Sequence, residues 1–429
     1  VKRLEYKQLG EYLYHEQLEN GLDVYILPKD GFHKTFATFT TKYGSVDDTF
    51  VPLGKDEPIK VPDGIAHFLE HKMFEDEDGD VFHTFGEQGA SSNAFTSFTR
   101  TAYLFSSTTQ VEKNVKTLLD FVQKPYFTDE TVEKEKGIIA QEITMYDDNP
   151  DWRAYFGTIE NLFEKHPVKI DIAGTIPSIT EITKEDLYTC YETFYHPSNM
   201  LLFIVGPVDP EVMMTLVREN QAAKTFPAPE DIVRHVAPET TPVHVATRTI
   251  SMPVQTPKCF VGYKEKEPTR QGTDLLRHEL AVKVVLDLMF SPSSKAYESL
   301  YEAGDIDDSF SFDYTAEWGF GFSIIGGDSN NPDRLAERIT ETIEAHQKDG
   351  LCKEEADRAI KKKIGAFLRS LNSPDFIANE FTRYQFNGMN LFDVVPTLET
   401  LTLDDLQTVL TAHFTADYQT ICIVRDEGK

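Results

Sequence analysis

The sequence predicts an α+β protein built from two homologous halves, each a sheet with helices packed on one face. Three observations carry that prediction. Short apolar strand patterns alternate with amphipathic helical ones along the 429 residues. A block late in the first half returns near the C-terminus without a gap, and a proline-rich stretch lies between the two. At about 150 residues per domain the length suits two or three domains.

Taken in order, Leu22–Leu27 and Thr35–Tyr43 read as strands, with Asn20-Gly21 as the turn signal before the first. Helical periodicity follows near 64–77, 109–124, 128–147, 151–165 and 183–195, and the last leads into an apolar strand at 199–205. Residues 221–245 contain Pro227, Pro229, Pro238 and Pro242, lack periodicity, and read as a linker. The expected domains are therefore 1–220 and 246–429. The second has strand patterns at 245–263 and 308–326, and helical ones near 273–290, 331–348, 353–371 and 402–413. A shift of 219 residues places Pro177 on Pro396, Thr183 on Thr402, Asp186 on Asp405 and Leu187 on Leu406. It also places Thr189 on Thr408 and Ile204-Val205 on Ile423-Val424. The gapless register favours duplication over chance convergence on a common helix–strand pattern.

Charge narrows the function. With 42 Lys+Arg against 71 Asp+Glu the net charge is −29, which repels phosphate backbones and anionic lipid. Nucleic acid is excluded as the expected partner. No apolar run approaches the roughly 18 residues of a membrane span. The first residues, Val1 to Tyr6, lack a signal-peptide apolar region, and four scattered cysteines form no C-x-x-C pair. A cytoplasmic location with reduced thiols is expected, with disulfides as the alternative.

The chemistry lies in Gly64-Ile65-Ala66-His67-Phe68-Leu69-Glu70-His71. On a helix, residues four apart share one face, so His67 and His71 suit two imidazole ligands of one zinc ion. Glu70 flanks the pair, close enough to act on a water beside such an ion. The motif is H-x-x-E-H, which chance produces roughly 0.03 times in a chain of this composition. Two surface histidines on an ordinary helix are the competing reading, and a third ligand decides between them. On the helix 128–147 the apolar stripe runs through Val132, Ile138, Ile139, Ile143 and Tyr146. Glu135 and Glu142 fall inside it, whereas Glu130 and Glu133 project elsewhere. An ionised carboxylate on a core-facing surface needs a cation. Zinc would supply one; a matching Lys or Arg is the alternative. Two histidines and a carboxylate leave zinc an open position, as metal-assisted amide hydrolysis requires, with Glu70 as general base. No comparable set appears in the second half, where His278 and Glu279 have no histidine four residues on.

These residues resemble the insulinase (pitrilysin-like) family of zinc peptidases, in its small bacterial branch akin to the mitochondrial processing peptidase. The resemblance covers nearly the whole chain. It rests on Leu18-Glu19-Asn20-Gly21-Leu22, on Gly64 to His71, and on Glu135 to Glu142, whose two glutamates are seven apart. It implies a mainly antiparallel sheet in each half and one zinc ion per chain. His67, His71 and Glu142 would be the ligands, with Glu70 as catalytic base and Glu135 supporting the site. Gly89-Ala90-Ser91-Ser92-Asn93-Ala94-Phe95-Thr96 resembles the family's substrate-binding edge strand, with Asn93 and Ala94 facing the scissile residue. From the residues alone it reads equally as a turn into an interior strand.

One departure is expected to matter. Family members carry an Arg and a Tyr, seven apart, after a Ser-Ser-Arg-like turn. Here Ser293-Ser294-Lys295 is followed by Tyr301 and Asp308 at those two places. Arg383-Tyr384 is adjacent and belongs to a helix surface or core edge. The expected function is a zinc endopeptidase cleaving short or unfolded peptides, basic ones by charge, inside a closed two-subunit chamber. The expected assembly is a heterodimer with a paralogue that supplies the Arg and Tyr, a homodimer being the alternative. The rival reading is a non-catalytic assembly or peptide-holding subunit.

Overall fold

The computed structural model describes residues 1–77, 79–426 and 428. Twelve strands form its two large sheets. In the first half they are β1 (Lys2–Tyr6), β2 (Glu11–Gln17), β3 (Asp23–Pro28), β4 (Thr35–Thr41), β5 (Ala90–Thr96), β6 (Thr101–Ser107) and β7 (Met200–Gly206). In the second they are β8 (Thr247–Ser251), β9 (Lys258–Lys264), β10 (Ser311–Glu317), β11 (Phe320–Asp328) and β12 (Gln419–Arg425). The helices that bear on the site and the packing are α1 (Ile65–Lys72), α2 (Asp129–Asp147), α3 (Pro150–Leu162) and α4 (Lys184–Phe194). With them go α5 (Gly272–Phe290), α6 (Lys295–Glu302), α7 (Pro374–Phe386) and α8 (Leu403–His413).

The first sheet has the order β1-β2-β3-β7-β4-β6-β5, and the second β8-β12-β9-β11-β10. In the first, β3 and β7 run parallel and the other pairs are antiparallel. The second repeats this with β8 and β12 as its parallel pair. The expected α+β class with mainly antiparallel sheets is what the chain adopts. In each sheet the last strand of the half inserts between two others, and for β7 this explains an unbroken apolar sequence, every residue of it being buried.

The 219-residue repeat holds in three dimensions. α4 and α8 begin and end 219 residues apart, as do β7 and β12. Both helices open with the same capping box, Thr183 with Asp186 and Thr402 with Asp405.

The compact units, however, do not follow the contiguous halves. One unit comprises Val1–Ile143, Ile170–Val236 and Ser370–Phe386; the other comprises Thr144–Lys169, Ala237–Arg369 and Asn387–Lys429. The halves exchange a helix. α7, from the second half, packs on β4 and β7, with Phe381 against Tyr25 and Phe203 at 4.8 and 4.7 Å between ring centroids. α3, from the first half, packs on β9 and β12. There Gly157 is needed for close approach, since a Cβ would lie 2.7 Å from Ile250 Cδ1 and 2.9 Å from Cys422 Sγ.

Other differences are local. The strand pattern at 245–263 resolves into two strands, divided at Pro253 and Pro257, which cannot donate to a ladder. That at 308–326 is a hairpin, turning at Trp318-Gly319 with Gly319 at φ 101°. β1, β2, β6, α6 and α7 are elements beyond those the sequence predicts.

Candidate metal centre

α1 enters through Gly64 at φ 89°, where a Cβ would sit 2.4 Å from the carbonyl oxygen of Ala173. Gly174, at φ 74°, approaches Asp63 as closely from the other side. These two glycines set the start of α1 against a fixed turn. Ile65, Phe68 and Leu69 then anchor it in the core, each at most 4 % exposed. That leaves His67, Glu70 and His71 on the side facing α2 and β5.

His67 Nε2 lies 3.6 Å from Glu142 Oε1, and His71 Nε2 lies 3.6 Å from Glu142 Oε2. These separations are too long for hydrogen bonds. They match donor atoms spaced around one ion at roughly 2.0–2.2 Å from each. One ligand atom from each of the three residues lies within 4.8 Å of the other two, and among the described residues no other group of three or more does so. Glu135, two turns before Glu142 on α2, takes a separate part: its Oε1 is 2.9 Å from His71 Nδ1. That contact fixes the ring and leaves Nε2 turned toward Glu142. The Nδ1 atom of His67 is buried without a hydrogen-bond partner in the structure.

The electrostatics suit this division. Burial, then the neighbouring His71, lowers the His67 pKa to about 4, so the ring is neutral and able to ligate. Burial also pushes His71 downward. The hydrogen bond that His71 donates to Glu135 and the charges of Glu70, Glu135 and Glu142 outweigh it, and the net shift is upward. For Glu135 burial raises the pKa, but the contact with His71 prevails and lowers it overall. Glu70 is 9 % exposed, and burial raises its pKa against the opposing hydrogen bond from Thr96. A carboxylate with raised proton affinity beside a metal-sized donor set has the character of a general base.

α2 differs from its expected stripe at one place. Val132, Glu135, Ile139 and Ile143 are buried, but Ile138 is 47 % exposed. The alternative of a Lys or Arg matching the carboxylates is not realised at Glu135, which contacts His71. Lys72, fully buried, reaches Glu75 Oε2 at 2.5 Å and the Thr131 carbonyl at 3.3 Å instead. Thr96 was not singled out from sequence: its Oγ1 donates to Glu70 Oε2 at 2.6 Å.

β5 is an edge strand, paired among the described residues with β6 alone. The Ser97 N–H donates to the Arg100 carbonyl at 2.8 Å, which sets the phase of the ladder. The alternating pattern then turns the main-chain groups of Ser92, Ala94 and Thr96 toward the open edge. Asn93 is exposed, and its Oδ1 accepts from the Ala94 N–H at 2.9 Å.

In the second unit a different cluster surrounds Glu265. Its Oε2 is 2.7 Å from His278 Nε2, 2.9 Å from the Tyr314 hydroxyl and 3.2 Å from His413 Nδ1. Ser323 Oγ is 2.9 Å from His413 Nε2. The order Ser–His–Glu imitates a nucleophilic chain, but Ser323 is fully buried and His413 is 1 % exposed. No substrate reaches it, and the cluster is structural. Tyr301 and Asp308 are both exposed, and Tyr301 stacks on Tyr297 along α6. Arg383 pairs with Glu380 at 3.1 Å and covers the ring of Tyr384 within α7, as expected of a helix surface. All four cysteines are free, Cys352 alone being exposed. Among the described residues no helix is long and apolar enough to cross a membrane.

Comparison with known proteins bears on the family and the fold. Residues 56–176 match the family described as Insulinase (Peptidase family M16), and residues 181–363 match the Peptidase M16 inactive domain. The chain is 61% identical over 424 residues to YmfH of Bacillus subtilis (strain 168), described as an uncharacterized zinc protease, covering 99% of each chain. An M16-like peptidase from Alicyclobacillus acidocaldarius superposes with a TM-score of 0.94 at 42% identity, covering 96% of this chain and 98% of that one. A protease from Helicobacter pylori shares the fold at a TM-score of 0.82 and 19% identity, covering 96% and 99%.

Proposed function

This chain belongs to the insulinase family of zinc proteases, peptidase family M16, and on that premise we propose that it is a zinc-dependent endopeptidase acting on short or unfolded peptides. The observation that carries the reading is the convergence of His67, His71 and Glu142 with Glu70 beside them. Two imidazoles and a carboxylate are the donor set of a catalytic zinc site with one position open. His67, His71 and Glu142 hold one ion per chain, and Glu135 orients His71. A zinc ion held by these residues would supply Lewis acidity to a peptide carbonyl and acidify a water near neutral pH. Glu70 accepts the proton of the attacking water and returns it to the leaving amine.

The substrate lies along β5 as an added strand. Main-chain bonds to the open edge near Ala94 fix its register, and Asn93 and Ala94 border the residue at the scissile bond. For a substrate carbonyl to use the Ala94 N–H, the Asn93 carboxamide must release it. The chain works in the cytoplasm in a closed two-subunit chamber, with a paralogue supplying the Arg and Tyr that Tyr301 and Asp308 replace. The net charge of −29 favours basic peptides. The same replacement favours the second reading, a peptide-holding subunit with no turnover of its own.

Metal analysis joined to a cleavage assay on an unfolded peptide, with and without the paralogue, tests the proposal. One zinc per chain with zinc-dependent cleavage is expected. Cleavage that survives complete removal of the metal would overturn it, and zinc without cleavage under either condition would favour the second reading.

A further inference from the structure

Glu70 has one hydrogen-bond donor among the described residues, the hydroxyl of Thr96 at 2.6 Å. A glutamate has three rotatable bonds, and a base acts only when its free oxygen is held toward the proton it takes. Thr96 is suited to hold it. Its branched side chain is stiff about χ1. Its backbone is fixed on several sides: it ends β5 opposite Thr101, which is fully buried and donates its own hydroxyl to the Tyr43 carbonyl at 2.9 Å. The next residue, Ser97, donates to the Arg100 carbonyl at 2.8 Å and accepts from the Ser45 N–H at 3.1 Å.

We propose that Thr96 is the positioning residue for Glu70: it binds Oε2 and so leaves Oε1 as the oxygen that receives the proton. The proposal rests on the reading of Glu70 as the base. It goes further by tying that base to the strand that binds substrate. The side chain of Thr96 reaches α1 while its main-chain groups face the open edge of β5. One residue therefore sets both where a substrate strand lies and where the base points.

Thr96→Val removes the donor and keeps the shape, Thr96→Ala removes both, and Thr96→Ser keeps the donor. All three are compared with the wild type, each with the paralogue present. In Thr96→Val and Thr96→Ala, kcat should fall about 10–100-fold while KM moves less than about threefold, because a base is misplaced and binding is not. Zinc content should be unchanged, and Thr96→Ser should recover kcat to within about threefold of wild type. A crystal structure of Thr96→Val gives a readout independent of turnover: the Glu70 carboxylate should leave its wild-type rotamer or occupy more than one. Wild-type kcat in Thr96→Val, an equal loss in Thr96→Ser, or an unmoved Glu70 would each overturn the proposal. Glu70→Gln separates the two levels. If that variant cleaves normally the base assignment falls; if it is inactive while Thr96→Val is normal, only the role of Thr96 falls.

Discussion

Glu135 and Glu142 have the same side chain on the same face of one helix, yet their surroundings give them different work. Glu142 lies 3.6 Å from both histidine Nε2 atoms and bonds to neither ring. Glu135 bonds the far nitrogen of His71. Removing a ligand and removing its support should therefore differ in degree. Glu142→Ala should abolish stoichiometric zinc binding, whereas Glu135→Ala should weaken affinity by about 10–100-fold. Competition with a metallochromic chelator measures both. Full zinc affinity in Glu142→Ala would show that the third ligand is another group; Glu75 is a poor replacement, being engaged by Lys72.

Among the elements, the later part of the segment expected as a linker carries a carboxylate clip. Glu239 accepts from the N–H groups of Glu164, Lys165 and His166 at 3.0, 2.7 and 2.6 Å, and from Lys264 Nζ at 3.0 Å. Burial raises its pKa, but these donors outweigh burial and bring it down from 4.5 to about 2. A carboxyl whose folded pKa is depressed stabilises the fold above its unfolded pKa and loses that contribution as pH falls through the folded one. Glu239→Gln should thus cost about 1–2 kcal/mol at pH 7, allowing for solvent screening. In urea titrations its deficit against wild type should narrow as pH drops from about 5 toward 2. A deficit independent of pH would show that the charge is not what holds the segment. Proline content gives no sign of this clip. The three N–H donors lie more than seventy residues from their acceptor, and only tertiary folding joins them. The same limit applies to Thr96 and Glu70. By contrast His67, Glu70 and His71 were legible because one helix turn brings them together, and Glu135 and Glu142 because an apolar stripe made their charge conspicuous. The helix exchange was invisible for the opposite reason. α3 and α7 have ordinary amphipathic sequences, and nothing in such a pattern says which sheet will cover it.

For the whole molecule, duplication has left two sheets of one topology and a metal donor set in one of them. In the second unit His278 serves Glu265, and the exposed Tyr301 and Asp308 offer no guanidinium to a developing oxyanion. Donors aimed at that charge are among the largest catalytic contributions. The purified chain should accordingly turn over slowly alone, and co-expression with a paralogue that keeps the Arg and Tyr should raise kcat/KM by about 10²-fold or more. Equal rates with and without the paralogue would mean the site is complete in one chain. Glu70→Gln tests the proposal that the chain hydrolyses peptides with zinc held by His67, His71 and Glu142 and with Glu70 as base. Zinc content and cleavage of one peptide are measured on the same sample. Full zinc with cleavage reduced by about 10²–10⁴-fold is expected; cleavage at the wild-type rate, or zinc lost in step with activity, would show that Glu70 is not the base.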